Sequence, residues 1–222
     1  MTMQRFGGVA ALICAATYIY GFFVLVTILA PMGFGTNAID AVEVVRFVQS
    51  DTSTLIAFNT TIYIVNALAL AVLVTALQAQ LRSKTPDLVK VSLVLGTVWV
   101  TLVLAAGMIA NVAVERALHL AANDFDQAVA LWQVLHAVEL GLGGGNEIAG
   151  AAWIGFVSVA GFLGRNLGRI AVGLGVVTGV SGLLTLIPAL GDVAGAVFGL
   201  GAIGWFFAIG WVLLRNQDEV KP

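Results

Sequence analysis

The sequence predicts an all-helical, polytopic membrane protein in which six transmembrane helices form a single bundle. Composition is the first observation behind this prediction: 60% of the 222 residues are hydrophobic and only 10% are charged, against about 25% charged in soluble domains. The second is a series of uncharged stretches of about 18 residues or more, too many for one small soluble core. These stretches are continuously apolar rather than alternating, which favours helices over a β-barrel.

Each predicted span is an apolar run of about the length that a bilayer requires. A hydrocarbon core of about 30 Å needs roughly 20 helical residues, and the runs meet or nearly meet that length. The spans are expected at about residues 6–30, 54–81, 91–114, 146–163, 170–190 and 194–214. The run after Arg5 is too long for a signal-peptide core, so we expect a retained first span that stops at Pro31.

The basic residues predict the orientation of the bundle. With the N-terminus in the cytosol, eight of the ten lysine and arginine residues fall on the cytoplasmic side, as the positive-inside rule requires. They are Arg5, Arg82, Lys84, Lys90, Arg165, Arg169, Arg215 and Lys221. Arg46 and Arg116 fall outside, together with most of the acidic residues. We therefore expect a protein of the cytoplasmic membrane with both termini in the cytosol.

Two amphipathic interfacial helices are predicted on the outer face of the bundle. The first covers about residues 37–50, where Asp40, Glu43 and Arg46 recur every three residues and Thr36 or Asn37 is a candidate N-cap.

The second interfacial helix covers about residues 124–140. Asp126, Gln133, His136 and Glu139 fall roughly on one side of it, with apolar residues largely on the other. An alternative threading makes residues 128–144 a seventh span. We disfavour it because it would leave His136 and Glu139 in lipid.

Glycine is concentrated in the second half of the chain, where 19 of the 26 glycines lie at or after Gly141. The pairs Gly175/Gly179, Gly191/Gly195 and Gly195/Gly199 have the small-xxx-small spacing that lets helix backbones approach closely in lipid. We expect spans four to six to pack tightly within the chain, or else against a second copy or another membrane subunit. The net charge of −2 argues against nucleic-acid binding, which needs a basic face, so the bilayer is the main expected partner.

Two segments resemble a known family. GLGGGNEIAGAAW before the fourth span and GAIGWFFAIGWVLLR at the end of the sixth are similar to an uncharacterised family of bacterial six-span integral membrane proteins, known only as a domain of unknown function. The resemblance extends over nearly the whole chain. It implies a fold and a bacterial inner-membrane location, and it carries no activity.

Polar side chains within the spans predict a binding site, because hydrocarbon cannot satisfy them. Asn59, Tyr63 and Asn66 share one face of the second span, and Asn111 lies on the third. Interhelical hydrogen bonding is the structural alternative for these side chains.

A carboxylate and an amide also stand where the fourth span begins. Asn146 and Glu147 follow the glycine run 143–145, and burial would raise the pKa of Glu147. A capping role at the helix N-terminus is the alternative for Glu147. We expect both residues to converge with His136, Glu139 and the amides in the outer half of the bundle. The predicted function is binding, or passive or ion-coupled transport, of a small amphipathic molecule, ion or proton.

A divalent-metal site is a further alternative. Glu115 and His119 are spaced i, i+4, and His136 and Glu139 are spaced i, i+3, so each pair can share a helical face. With Glu147 they would offer nitrogen and oxygen ligands for zinc, iron or manganese, in a membrane enzyme acting at the outer face. Neither HExxH nor a repeated ExxH motif occurs, and no catalytic residue is indicated. A structural subunit of a larger membrane complex is the third candidate function.

Overall fold

The computed structural model describes residues 2–36, 38–144 and 148–215, and these form an all-helical bundle. The α-helices are α1 (Met3–Val24), α2 (Ala41–Ser50), α3 (Thr52–Asn59), α4 (Asn66–Leu81), α5 (Pro86–Ala121), α6 (Phe125–Glu139), α7 (Ile148–Gly164), α8 (Arg169–Leu184) and α9 (Gly191–Arg215). A π-helical turn, Leu25–Leu29, extends α1, a second, Thr60–Val65, joins α3 to α4, and a third, Leu140–Gly144, follows α6.

Five helical stretches among the described residues are long and apolar enough to cross a membrane. They are Met3–Met32, Thr52–Leu81, Pro86–Ala121, Phe125–Gly164 and Pro188–Arg215. The prediction of a helical protein with several helices of membrane-spanning length is therefore confirmed.

The predicted fifth span, at about 170–190, is longer than the helix that forms there. α8 has 16 residues, which is about 24 Å at the helical rise. It ends at Leu184, and Pro188 begins a separate 3₁₀ turn. Proline cannot donate a backbone hydrogen bond and disfavours helical geometry in the residue before it, so the helix cannot continue through this turn.

The outside of the bundle is apolar, as expected of a surface that faces lipid. Large side chains point outward along several helices, with exposed fractions between 64% and 76% for Phe23, Val26, Phe162, Ile170 and Trp211. A water-exposed protein rarely carries so large an apolar surface.

Two hydrophobic clusters lie inside the bundle. The central cluster fills the space between α1, α4, α5, α7, α8 and α9, around the fully buried Trp153, Trp205 and Phe206. The end cluster joins α2, α3, α6 and the C-terminal part of α5, around Val45, Val114 and Trp132. The 36 residues of α5 extend about 54 Å, more than a bilayer core of about 30 Å. The end cluster therefore covers the part of α5 that exceeds one bilayer thickness.

The two ends of the bundle differ in their polar contacts. At one end, Gln4 Nε2 donates to Gln80 Oε1 at 2.5 Å and Asn166 Nδ2 donates to the Gln80 carbonyl at 3.4 Å. These contacts hold the start of α1, the α4–α5 turn and the α7–α8 turn together, so the basic residues in and beside those segments lie at one end. We call it the basic end. The end cluster lies at the opposite end.

Helices α2 and α6 form in the two segments predicted as interfacial helices, but their details differ from the prediction. Asp40, not Thr36, caps α2, because its carboxylate accepts from the backbone N–H groups of Val42 and Glu43. The other predicted cap, Asn37, lies outside the described residues.

The faces of α6 also differ from the prediction. Glu139 is buried and His136 nearly so, whereas Val134 and Val138 are exposed at 61% and 45%. His136 and Glu139 turn inward because α6 covers an internal cavity, whereas Asp126 and Gln133 stay exposed. A helical projection cannot reveal this division.

The glycine spacing predicts close packing correctly for one pair only. A Cβ on Gly175 would lie 1.9 Å from Ser158 Oγ, and one on Gly179 would lie 3.0 Å from the Ala151 carbonyl oxygen, so α8 packs tightly on α7. Gly191 and Gly195 instead line a cavity, and a Cβ on Gly195 would meet nothing within 4 Å. Within the chain, the pair Gly191/Gly195 therefore makes no close helix contact, and in the pair Gly195/Gly199 only Gly199 does, since its Cβ would lie 2.7 Å from Phe22 Cζ.

Asp51 caps α3 and provides a pH-dependent stabilisation. Hydrogen bonds from the hydroxyls of Thr54 and Ser53 hold the pKa of the Asp51 carboxyl below its usual value. The pKa of Asp51 is lower in the folded state than in the unfolded state, so the stabilisation is complete at neutral pH. It is lost as the pH falls through the folded-state pKa. We expect Asp51→Ala to lower the thermal unfolding midpoint at pH 7 and to differ less from the wild type at pH 3. An equal difference at both pH values would contradict this assignment.

Candidate functional site

A cavity of about 770 Å³ opens at the end of the bundle opposite the basic end. Its walls come from α1, α3, α5, α6 and α9 and from all three π-helical turns, which contribute Leu25, Tyr63 and Leu140 among others. A π-helical turn changes the angular spacing of side chains within a helix and often marks a functional site. Leu25–Leu29 and Thr60–Val65 are such turns, and Leu140–Gly144 is broken by the non-helical backbone of Gly143. The helices around the cavity therefore depart from regular α-helical geometry at three places.

Glu139 is the central polar group of this cavity. The Tyr63 hydroxyl donates to Glu139 Oε1 at 2.5 Å, and His136 Nδ1 lies 2.7 Å from Glu139 Oε2. The side chains of Glu139 and His136 are 8% and 14% exposed. An ionised carboxylate only accepts hydrogen bonds, so in a pairing with ionised Glu139 the imidazole donates from Nδ1, and Nε2 is its second nitrogen. The carboxylate therefore connects α6 to the π-helical turn Thr60–Val65 and orients the imidazole.

Aromatic rings fix the position of His136. Trp132, one turn earlier in α6, stacks on the imidazole with ring centroids 4.7 Å apart and planes at 15°. Phe34 lies 6.1 Å from the imidazole centroid and 6.2 Å from that of Trp132. All three rings line the cavity, so its polar centre is bordered by an aromatic wall.

Asn59 and Asn66 both line the cavity, but their amides differ in their hydrogen bonding. Asn66 Nδ2 donates to Thr17 Oγ1 at 2.7 Å, and Thr17 donates to the Cys14 carbonyl, which ties α4 to α1. Asn59 is only 7% exposed, and within the described ranges its amide has no hydrogen-bond partner. Because this amide lines the cavity and keeps its hydrogen-bonding capacity for a guest molecule, Asn59 is a ligand-binding candidate.

Asn111 does not belong to the cavity. Its Nδ2 donates to Thr60 Oγ1 at 3.0 Å and so joins α5 to the π-helical turn Thr60–Val65. This is the interhelical hydrogen bonding that was the alternative to a binding role. Its Oδ1 is buried and lacks a partner among the described residues.

Two predicted site residues, Asn146 and Glu147, lie outside the described residues. Gly143, just before them, has a φ of 140°, a conformation that side chains rarely adopt. This non-helical backbone produces a kink after α6, which the missing side chain of glycine permits.

The four predicted metal ligands do not come together. Glu115 and His119 are exposed on α5 and do not line the cavity, whereas His136 and Glu139 face into it. Within the described part of the chain, no group of three or more His, Cys, Asp or Glu side chains is positioned to hold a metal ion.

Most of the cavity lining was not assigned to a site from the sequence. Trp132 and Asp192 were not singled out, and Gly195 was considered only for helix packing, yet all three line the cavity. Their separation along the chain is large, and no local pattern connects them.

Comparison with known proteins adds no assignment, since no family model, curated protein or solved structure matches this chain. The resemblance to a six-span family rests on the two quoted segments and stays a prediction.

Proposed function

We propose that the chain is a six-span protein of the bacterial cytoplasmic membrane, with both termini in the cytosol. The basic end supports this orientation, because Gln4, Gln80 and Asn166 join the start of α1 to the two turns that carry Arg82, Lys84 and Arg165. The positive-inside rule assigns that end to the cytosol. The cavity would then open towards the outer side.

We further propose that the protein binds a small amphipathic molecule in this cavity. The single observation that carries the proposal is the cavity itself, whose volume of about 770 Å³ falls within the usual 300–1,000 Å³ of small-molecule sites. Its walls combine apolar and aromatic surface with a few convergent polar groups, as such sites do. A binding step is common to a receptor and to a transporter, so the proposal applies to both.

The polar groups support binding rather than simple packing. Glu139 and Tyr63 are satisfied by each other, which holds them rigid, whereas the amide of Asn59 and Nε2 of His136 are directed to the same cavity without a described partner. Rigid groups with unused hydrogen-bonding capacity are what an oriented ligand requires.

The binding proposal is tested with a substitution that places a larger side chain inside the cavity. In Gly195→Leu, the added side chain begins in open space and extends into the cavity, so the fold should survive while ligand volume is lost. The probes are benzyltrimethylammonium, its uncharged carbon isostere 2,2-dimethyl-1-phenylpropane, and phenylmethanesulfonate. Binding to the protein in lipid nanodiscs is measured by equilibrium dialysis, with empty nanodiscs correcting for partition into lipid. We expect at least one probe to bind the wild type and to lose roughly tenfold or more in affinity in Gly195→Leu, the loss expected when steric contact blocks a site.

The matched control is Gly173→Leu. Gly173 is also a helical glycine with nothing within 4 Å of its Cβ, but it lies on the exposed face of α8 and does not line the cavity. The control should bind like the wild type. If no probe binds the wild type, or if both leucine variants bind as the wild type does, this proposal fails.

A further inference from the structure

The described cavity lining is acidic. Its charged or titratable side chains are Glu139, Asp192 and His136, and no lysine or arginine is among its described residues. With a neutral His136 the lining carries two negative charges, and with a protonated one it still carries one. Two basic residues lie near these walls in sequence, and both point away from the cavity: Arg116, two residues after the cavity-lining Val114, is exposed, and Arg46 is exposed and paired with Glu43.

The aromatic wall, like the acidic lining, attracts positive charge. Trp132, Phe34, Phe22, Phe58 and Tyr18 all line the cavity. The faces of such rings attract cations, and the attraction grows when the cation loses its hydration shell. Glu139 is bonded to His136, and Trp132 and Phe34 pack on the imidazole, so the buried carboxylate lies at the Trp132–Phe34 part of this aromatic surface.

The two carboxylates are not equivalent. Asp192 is exposed and lies in the first turn of α9, where the partial positive charge of the helix N-terminus offsets part of its own. Glu139 is shielded from water and has no such compensation from its position at the C-terminal end of α6. We therefore expect Asp192 to attract ligands at the mouth and Glu139 to hold them.

From these observations we propose that the cavity selects an amphipathic organic cation. Resting on the binding role proposed above, this inference names the ligand class: an ammonium group on an apolar body. The ammonium lies between the Glu139 carboxylate and the rings of Trp132 and Phe34, and the apolar body lies along the walls of α1 and α9. Asn59 then supplies a hydrogen-bonding group to any polar substituent.

The three probes test the ligand class directly, without any variant. Benzyltrimethylammonium and its carbon isostere have the same shape and differ in charge, so their difference in affinity measures the electrostatic preference alone. We expect the cation to bind roughly tenfold or more tightly than either the isostere or phenylmethanesulfonate. If the isostere or the sulfonate binds as tightly as the cation, and Gly195→Leu abolishes that binding, the ligand class is wrong while the binding role stands. If no probe binds, both proposals are overturned.

Variants that each remove one negative charge test which carboxylate gives the cavity its preference for cations. Glu139→Gln keeps the size of the side chain and should weaken cation binding roughly tenfold while leaving the isostere unchanged. Because Asp192 is exposed, Asp192→Asn should fold like the wild type. It should weaken cation binding about two- to threefold, with a stronger effect at low salt. The matched control is Asp126→Asn, an exposed acid in the first turn of α6 that does not line the cavity. Unchanged cation affinity in both cavity variants, or an equal loss in Asp126→Asn, would overturn the assignment to these carboxylates.

Discussion

Gly175→Leu is expected to destabilise the bundle by about 3 kcal/mol or more, at the upper end of overpacking effects. A Cβ at this position would lie 1.9 Å from Ser158 Oγ and 2.6 Å from Trp205 Nε1. Ser158 is fully buried and bonded to the Ile154 carbonyl, and Trp205 packs against Trp153 and Phe206. Neither neighbour can move aside without disturbing α7 or α9, so the three helices must separate.

The measurement is denaturant-induced unfolding in bicelles, with near-ultraviolet circular dichroism reporting the packing of the tryptophans. Gly173→Leu is again the control, since it makes the same chemical change two residues earlier in α8 at an exposed position. It should unfold like the wild type. Equal stability of the two leucine variants would show that α8 does not pack as described.

Removing the contact between Tyr63 and Glu139 is expected to cost about 1.5–3 kcal/mol, the range for hydrogen bonds to charged groups. Tyr63→Phe leaves the carboxylate of Glu139, 8% exposed, with His136 as its remaining hydrogen-bond partner among the described residues. The contact joins the π-helical turn Thr60–Val65 to α6, so its loss should also loosen the wall of the cavity. Cation binding should weaken in the same variant.

A double-mutant cycle with Glu139→Gln separates this contact from other effects of each substitution. Unfolding free energies of the wild type, the two single variants and the double variant give the coupling between the residues, which we expect to be about 1 kcal/mol or more. Tyr20→Phe is the control, because Tyr20 is partly buried and its hydroxyl makes no hydrogen bond to a described residue. A coupling indistinguishable from zero would show that the Tyr63–Glu139 contact does not persist in the membrane.

Much of the helical architecture follows from local pattern. The helical stretches Thr52–Leu81 and Gly191–Arg215 lie within a few residues of the spans expected from apolar length alone. Apolar runs specify membrane helices because an unpaired backbone group in hydrocarbon costs several kcal/mol, about as much in any tertiary context. The same reasoning predicted cavity positions for Asn59, Tyr63 and Asn66, since three polar groups on one face of a span must turn away from lipid.

Other features depended on contacts between distant segments. Asn111 carries the same side chain as Asn59, yet Asn111 is bound by Thr60 and Asn59 faces the cavity. The inward orientation of His136 and Glu139 depends on where α6 crosses the bundle. The presence of Asp192 and Gly195 in the lining depends on how α9 begins beside α1. Helical period says which residues share a face, but it does not say which neighbour that face meets.

By itself, the sequence determined the helical membrane class, most helix lengths and the polar face of the second span, because hydrophobic burial and backbone satisfaction act locally along the chain. Only the tertiary structure decided that Glu139 bridges Tyr63 and His136, that Trp132 covers the imidazole, and that Gly195 opens onto empty space. These features arise from the register and crossing of helices far apart in sequence, and small rotations about a helix axis, such as those at the three π-helical turns, change which side chains meet.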